Sequence, residues 1–405
     1  LNQKSICGNK GPRVRSDCEI TLELTKKGGI RIDLESKVDT LHGPSIRDLL
    51  VEGLETFGIA NARLSVVDTG ALPFVLAARL EAAIKLLIDS PLEFLPEMIQ
   101  PSGLVSKRDR FRFSRLYLPG NTPSMMLNAG IHKPSGIILD LEDSVAPEKK
   151  HEARFLVRNA LRQLDFMGAE RMVRINQLPE GLTDLKFVVP HDVDLVLLPK
   201  CEQARQVKEM EREMAGMVAG RSGKPVWIMP IIESALGVEN AFEIASASEN
   251  IVAMAIGLED YTADMGVQRT LGGQESQFAR TRMINACKAA RIQPIDSVFS
   301  DVSDQEGLKA SVNESKTLGF EGVGCIHPRQ VPLVHHAFQP TTEEIDRAKK
   351  VVFAYENARQ NGLGVVSLGT KMIDAPVVKR AQRTINLALH LKLINPDWME
   401  QMPND

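Results

Sequence analysis

Short apolar runs recur along the chain, and each ends in polar residues. Residues 115–118 lead into Pro119, Gly120 and Asn121, 136–141 into Glu142 and Asp143, and 172–175 into Asn176. Residues 195–198 lead into Pro199 and Lys200, and 226–232 into Glu233 and Ser234. Residues 252–256 lead into Gly257, Leu258, Glu259 and Asp260, 294–299 into Ser300 and Asp301, and 322–326 into His327 and Pro328. A mostly apolar run reads as a strand buried on both faces, as in a parallel sheet. Eight such runs separated by helical patterns predict a (β/α)8 barrel, the TIM architecture. There the residues just past the strands' C-terminal ends carry the chemistry.

The pattern before residue 91 differs. Residues 19–24 and 29–34 read as two short strands, with Lys26, Lys27, Gly28 and Gly29 as the turn between them. From 44 to 57, Ile46, Leu49, Leu50, Leu54 and Phe57 fall on one helical face. Residues 62–67 read as a third strand and 76–88 as a second amphipathic helix. This predicts a small α+β domain over 1–95. The stretch 96–110, with Pro96, Pro101 and Gly103, reads as a linker, and 111–335 as the barrel. Residues 336–405 form a C-terminal helical extension and lid, with helices at 341–360 and 378–391 and a loop at 369–376.

Composition narrows the function classes. The chain has 405 residues, 43% hydrophobic and 25% charged, the balance of a globular enzyme. A net charge of −3 predicts no nucleic-acid partner. No apolar stretch approaches the roughly 18 residues of a membrane span, and the start lacks a secretory core, so the expectation is a cytoplasmic protein. The five cysteines show no CxxC pair, which argues for reduced thiols and against zinc.

Among the strand endings, Glu233 and Asp260 follow consecutive strands. Two such carboxylates can share a hard cation such as Mg2+; alternatively, Glu233 caps the next helix and Asp260 begins its own. Arg174 at the third strand suits a substrate carboxylate or an ion pair with Glu142 or Asp143. Asp140, Glu142 and Asp143 form an acidic cluster able to support a metal, orient Arg174 or raise one another's pKa. Lys200 offers a Schiff base or an exposed surface lysine, and the second reading is favoured by Pro199 and the charged helix that follows. Ser16, in a polar loop before the first strand, is a turn residue or a modification site.

In order, the motifs RLYLPGN (115–121), LDLEDSV (139–145), VRIN (173–176), LPK (198–200), IESALG (232–237) and GLEDY (257–261) resemble the citrate lyase β subunit, a citryl-thioester lyase of the HpcH/HpaI aldolase superfamily. FAR (278–280), FSD (299–301), IHPRQ (326–330), GVVSL (364–368) and KMID (371–374) extend the resemblance. The first 90 residues resemble its γ subunit, a small acyl carrier. The cues are Ser16 and Asp17 before a strand, GIRI (29–32), DTGAL (68–72) and AARLEA (77–82).

Arg115 and Glu142 are candidate substrate-binding residues, and Asp143 is a candidate catalytic residue in the 140–143 cluster, the candidate region for a base that the sequence does not assign. The resemblance implies Mg2+ on Glu233 and Asp260, substrate contact and a catalytic role for Arg174, and a catalytic Asp374 in a segment that reaches a neighbouring subunit's site. It further implies a dephospho-CoA-derived prosthetic group on Ser16, a partner α subunit that acts as acyltransferase, and self-association as a trimer or hexamer. The carrier family often has two serines before the aspartate, the first bearing the arm. Here Arg15 holds that first position, which leaves Ser16 modified, a register shifted by one, or an unmodified carrier; the reading favours Ser16. The implied activity is cleavage of a citryl thioester to oxaloacetate and an acetyl thioester. Rivals are a citramalyl-CoA or other β-hydroxyacyl-CoA lyase, and a non-catalytic carrier or scaffold subunit.

Overall fold

The protein is described from a computed structural model that places residues 4–99, 106–218, 224–360, 366–368 and 371–402. It divides into two compact units, 1–331 and 332–405.

The first unit opens with a four-stranded sheet: β1 (Lys4–Gly8), β2 (Cys18–Leu24), β3 (Ile30–Ser36) and β4 (Ala62–Asp68), in spatial order β1-β2-β4-β3. β1 was not among the expected strands; it is short and pairs antiparallel with β2. The turn at Lys26–Gly29 does not make a hairpin, because β4 inserts between the strands it connects. β3 and β4 are parallel and joined by α1 (Asp39–Thr56), a crossover that parallel pairing requires. Thus α1 begins earlier than the expected 44, with Pro44 inside it.

α2 (Pro73–Lys85) departs further from expectation. Every residue from Phe74 to Ile84 is buried, so the helix is not amphipathic but enclosed. Its two internal charges, Arg79 and Glu81, are fully buried with it.

The eight apolar runs become β5 (Ser114–Pro119), β6 (Gly136–Asp140), β7 (Glu170–Arg174), β8 (Leu195–Leu198), β9 (Trp227–Ile232), β10 (Ala253–Ile256), β11 (Gln293–Ile295) and β12 (Val323–Cys325). All pairings are parallel, in the order β11-β10-β9-β8-β7-β6-β5-β12. The ring closes where Asp296 bridges Val323 and Asp296 N donates to Gly322 O at 2.8 Å. β11 and β12 are shorter than the runs that announced them. Among the flanking helices, α3 (Lys150–Gln163) follows β6 and α4 (Leu258–Asp264) follows β10.

Alternate strand residues fill the barrel: Ile138, Met172, Leu195 and Leu197, Met229 and Ile231, Ala253 and Ala255, and Ile295. Side chains on a strand alternate faces, so two residues beyond each inward position lies another inward position. At the N-terminal side, Arg112 and Glu170 form a fully buried bidentate pair (Nε–Oε2 2.8 Å, Nη2–Oε1 2.8 Å).

The second unit has its own core. α5 (Thr342–Gln360) and α6 (Ala375–His390) pack Ala348, Val351, Val352, Ala381 and Ile385 with Ile373 and Trp398. β13 (Val366–Leu368) and β14 (Lys371–Ile373) pair antiparallel. The loop expected at 369–376 therefore contains a strand; residues 369 and 370 lie outside the described set, as do 100–105 of the expected linker. No described helix is long and apolar enough to cross a membrane.

Candidate active site

The alternation that fills the barrel also builds its mouth. Two residues above Ile138 is Asp140, above Met172 is Arg174, above Ile231 is Glu233 and above Ala255 is Gly257. On β5 the inward pair is Arg115 and, above it, Tyr117. These residues line one cavity of about 370 Å³ with Asp143, Ser144, Asp260 and Ser297.

Arg174 ends β7 and lies flat against Asp140: Nε donates to Oδ1 and Nη2 to Oδ2, both at 2.7 Å. Its Nη1 lies 2.9 Å from Glu142 Oε2 and 3.3 Å from Asp143 Oδ2. The guanidinium sits over the Tyr117 ring at 5.4 Å. Burial opposes the arginine's charge, but the Asp140 pair outweighs it and pushes the pKa up. Burial likewise favours protonated Asp140, and the same two hydrogen bonds reverse this, so its pKa is lowered. Both readings of Arg174 meet here: it lines the cavity, and it is ion-paired, chiefly to Asp140.

The turn after β6 is shaped by Asp140, whose carboxylate accepts from Glu142 N (3.0 Å) and Ser144 N (3.1 Å). That turns Glu142 inward and leaves Asp143 half exposed. Glu142 Oε2 is buried and makes no aligned hydrogen bond despite its close approach to Arg174. Burial raises the Glu142 pKa.

Glu233 does not cap the next helix. Ser234 does, its Oγ accepting from Gly237 N at 3.1 Å. The Glu233 carboxylate is buried, with Oε2 accepting from Lys200 N at 2.7 Å. Burial raises its pKa to about 8. Its Oε1 lies against Gly257, where an added Cβ would come within 2.5 Å. Asp260 sits in the first turn of α4, half exposed on the cavity side.

Lys200 is not the exposed surface lysine expected. Its Nζ lies 3.0 Å from Glu142 Oε1, 3.5 Å from Asp143 Oδ1 and 3.9 Å from Asp260 Oδ1. Partial burial opposes its charge, but Glu142 raises its pKa, so it stays protonated and a poor nucleophile.

Arg115 is buried one layer below Tyr117. It touches Met229 Sδ (3.3 Å) and Asp296 O (3.3 Å), and its Nε has no hydrogen-bond partner. Asp374 belongs to the unit 332–405, where it caps α6 by accepting from Val377 N. Ser16 lies in the loop between β1 and β2 with φ of 55°, its N donating to Thr69 O.

Carboxylates outnumber cations in the mouth: Asp140, Glu142, Asp143, Glu233 and Asp260 against Arg115, Arg174 and Lys200. Among the described residues no three His, Cys, Asp or Glu side chains form a ready metal cage. The oxygen-only donors and the negative excess fit an ion held by one or two carboxylates that keeps several waters, the habit of Mg2+. Glu233 and Asp260 would be its ligands. Tyr117, Gly257 and Ser297 were not singled out from the sequence; stepping by two from the core positions would have found them.

The sequence pattern of the HpcH/HpaI aldolase/citrate lyase family matches residues 114–328. That of the malonate decarboxylase delta subunit (MdcD) matches residues 9–87, so the N-terminal α+β sheet is similar to that carrier family. The citrate lyase subunit beta of Leuconostoc mesenteroides subsp. cremoris is 41% identical over 284 residues, covering 69% of this chain and 94% of that protein. The mitochondrial citramalyl-CoA lyase of Mus musculus is 30% identical over 293 residues, covering 68% and 86%. CitE of Mycobacterium tuberculosis, solved with magnesium, acetoacetate and coenzyme A, superposes with a TM-score of 0.58 at 29% identity, covering 70% and 99%. By the extent of these matches, the chain belongs to the HpcH/HpaI aldolase/citrate lyase family.

Proposed function

We propose that the chain is a Mg2+-dependent carbon–carbon lyase that cleaves a citryl thioester to oxaloacetate and an acetyl thioester. The observation that carries this reading is the convergence of Glu233, Asp260, Arg174 and Arg115 on one cavity at the C-terminal end of a barrel. A beta subunit of citrate lyase at 41% identity supports the substrate class.

In this reading Glu233 and Asp260 hold Mg2+, whose charge when bound lowers the pKa of the substrate's carbinol. Arg174, fixed in orientation by Asp140, pairs with a substrate carboxylate. Arg115 supplies a second positive charge from below. The carbinol proton leaves to a carboxylate of the 140–143 turn. Glu142 suits this because burial raises its proton affinity; Asp143 is the more exposed alternative. The C–C bond then breaks, its electrons passing to the thioester as an enolate while the carbinol becomes the ketone of oxaloacetate. The enolate takes a proton at carbon and leaves as the acetyl thioester. Asp374, acting from a neighbouring copy, is the proposed proton source.

The N-terminal sheet supports a tethered substrate, with Ser16 bearing a dephospho-CoA-derived arm. Loading that arm needs an acyltransferase, the α subunit of a citrate lyase complex, and an Asp374 in trans needs self-association as a trimer or hexamer. The citramalyl-CoA lyase relative favours one second reading, a citramalyl or similar CoA thioester as substrate. Oxaloacetate release from citryl-CoA in a single-turnover assay, lost with EDTA and restored by Mg2+, is the expected result. Release of pyruvate from citramalyl-CoA with none from citryl-CoA would favour the second reading. No cleavage of either would leave a scaffold.

A further inference from the structure

Enclosure of α2 on every side is unusual for a helix of a small carrier domain. A helix hydrophobic all round belongs in the core of something larger. One side of α2 meets its own sheet, where Ser5 Oγ donates to Ala83 O at 2.8 Å. The other side meets α3 of the barrel. There His151 Nε2 lies 3.2 Å from Ala82 O, Asn159 Nδ2 donates to Phe74 O at 3.1 Å, and the buried pair Glu81–Arg158 crosses the boundary.

Arg79 is the centre of this contact. Its Nε and Nη2 grip Asp17 at 3.0 and 2.9 Å, its Nη1 donates to Asn121 Oδ1 at 2.6 Å, and it lies 3.4 Å from Glu152. Asp17 precedes β2, whereas Asn121 follows β5 at the barrel's C-terminal end. Asn9 spans the same gap, donating to Asp17 Oδ2 (2.9 Å) and reaching Asn121 O (3.4 Å). Gly8 N donates to Glu152 Oε2 at 2.6 Å, and Lys149 Nζ to Gly8 O at 2.8 Å. Undocking would expose an apolar helix and leave buried charges unpaired, which is strongly disfavoured.

The clamp ends beside the candidate attachment residue. Ser16 adjoins Asp17, whose carbonyl accepts from both Thr69 N (2.9 Å) and Thr69 Oγ1 (2.7 Å). On the barrel side, Gly120 N donates to Asp140 O at 2.7 Å, and Asp140 holds Arg174. An unbroken series of contacts thus joins the Ser16 loop to the cavity's arginine.

We propose that the carrier unit is a fixed platform, not a travelling domain: Arg79, bridging Asp17 and Asn121, pins the Ser16 loop beside the barrel mouth, and an attached arm alone carries the thioester to the site. The docking stands by itself; the delivery role rests on the reading of Ser16 as the attachment residue.

Two measurements on the 405-residue chain test this. In hydrogen exchange, fixed docking predicts that α2 amides are protected within about tenfold of α3 amides, since both open only with the shared core. Exchange of α2 more than about a hundredfold faster than α3 would overturn the docking. For delivery, Asn121→Ala removes a rim contact without stranding a charge. In holoprotein whose intact mass shows the arm, it should slow cleavage of the tethered citryl thioester by about tenfold or more while turnover of free citryl-CoA stays within about twofold. Equal loss on both substrates, or loss on neither, would contradict the positioning role. An intact mass without the arm would refute the Ser16 reading, and the exchange result would still decide the docking.

Discussion

Arg174 and Asp140 meet edge to edge across adjacent strands, with two parallel N–H···O bonds of 2.7 Å. They are register partners in β6 and β7, so the backbone ladder itself presents the fork to the carboxylate. One face of the guanidinium covers Tyr117, and Nη1, the nitrogen that Asp140 does not engage, approaches Glu142 and Asp143. Asp140→Asn should therefore free Arg174 to rotate and lower kcat/KM by about 10- to 100-fold. Arg174→Lys should cost more, because a point charge cannot replace a bidentate fork. Steady-state kinetics on citryl-CoA check both, and an unchanged Asp140→Asn enzyme would refute the orienting role.

The same pair sets a pH dependence. Burial alone would raise the Asp140 pKa, but Arg174's hydrogen bonds lower it below the unfolded value of 3.8. Asp140 thus contributes stability at neutral pH that is lost as pH falls through its folded pKa. The urea midpoint of wild type should exceed that of Asp140→Asn at pH 7, and the gap should narrow below about pH 4.

Gly257 permits the close approach of Glu233. A Cβ there would sit 2.5 Å from Oε1 and 2.7 Å from Cγ, so Gly257→Ala must displace the carboxylate. The Mg2+ concentration for half-maximal activity should rise about 10- to 100-fold. Titration of activity with Mg2+ measures this, and an unchanged midpoint would separate Glu233 from the metal.

Lys200, protonated among Glu142, Asp143 and Asp260, should form no Schiff base. Borohydride treatment with oxaloacetate should add no mass to the chain. A trapped adduct lost in Lys200→Met would reverse this assignment.

The buried pair Arg112–Glu170 should act on stability alone, being at the end of the barrel away from the mouth. Arg112→Met leaves Glu170 without its fork and should cost about 3–5 kcal/mol in urea denaturation. The folded fraction should keep its kcat.

The barrel was legible because a strand buried on both faces is written as a mostly apolar run, and the chain contains eight; the charged residues that interrupt four of them, Arg115, Asp140, Arg174 and Asp296, line the cavity. That Glu233 and Asp260 face the cavity was readable from the strand ends. Other features depend on contacts between segments distant in sequence. Asp140 as partner of Arg174 requires the β6–β7 register, and Lys200 turns inward with φ of 46°. Insertion of β4 between β2 and β3 is equally invisible to a reading of the turn at Lys26–Gly29. Between Phe74 and Ile84, α2 is apolar apart from Arg79 and Glu81, but the partners that enclose it on α3 lie in another part of the sequence.

Oxaloacetate release from citryl-CoA, measured as Mg2+ is titrated into wild type and Asp260→Ala, tests the central claim most directly. Wild type should show saturable Mg2+ activation abolished by EDTA, and Asp260→Ala should show no release at Mg2+ concentrations that saturate wild type. Turnover by Asp260→Ala equal to wild type, undiminished by EDTA, would contradict a metal site on Glu233 and Asp260 and the mechanism built on it.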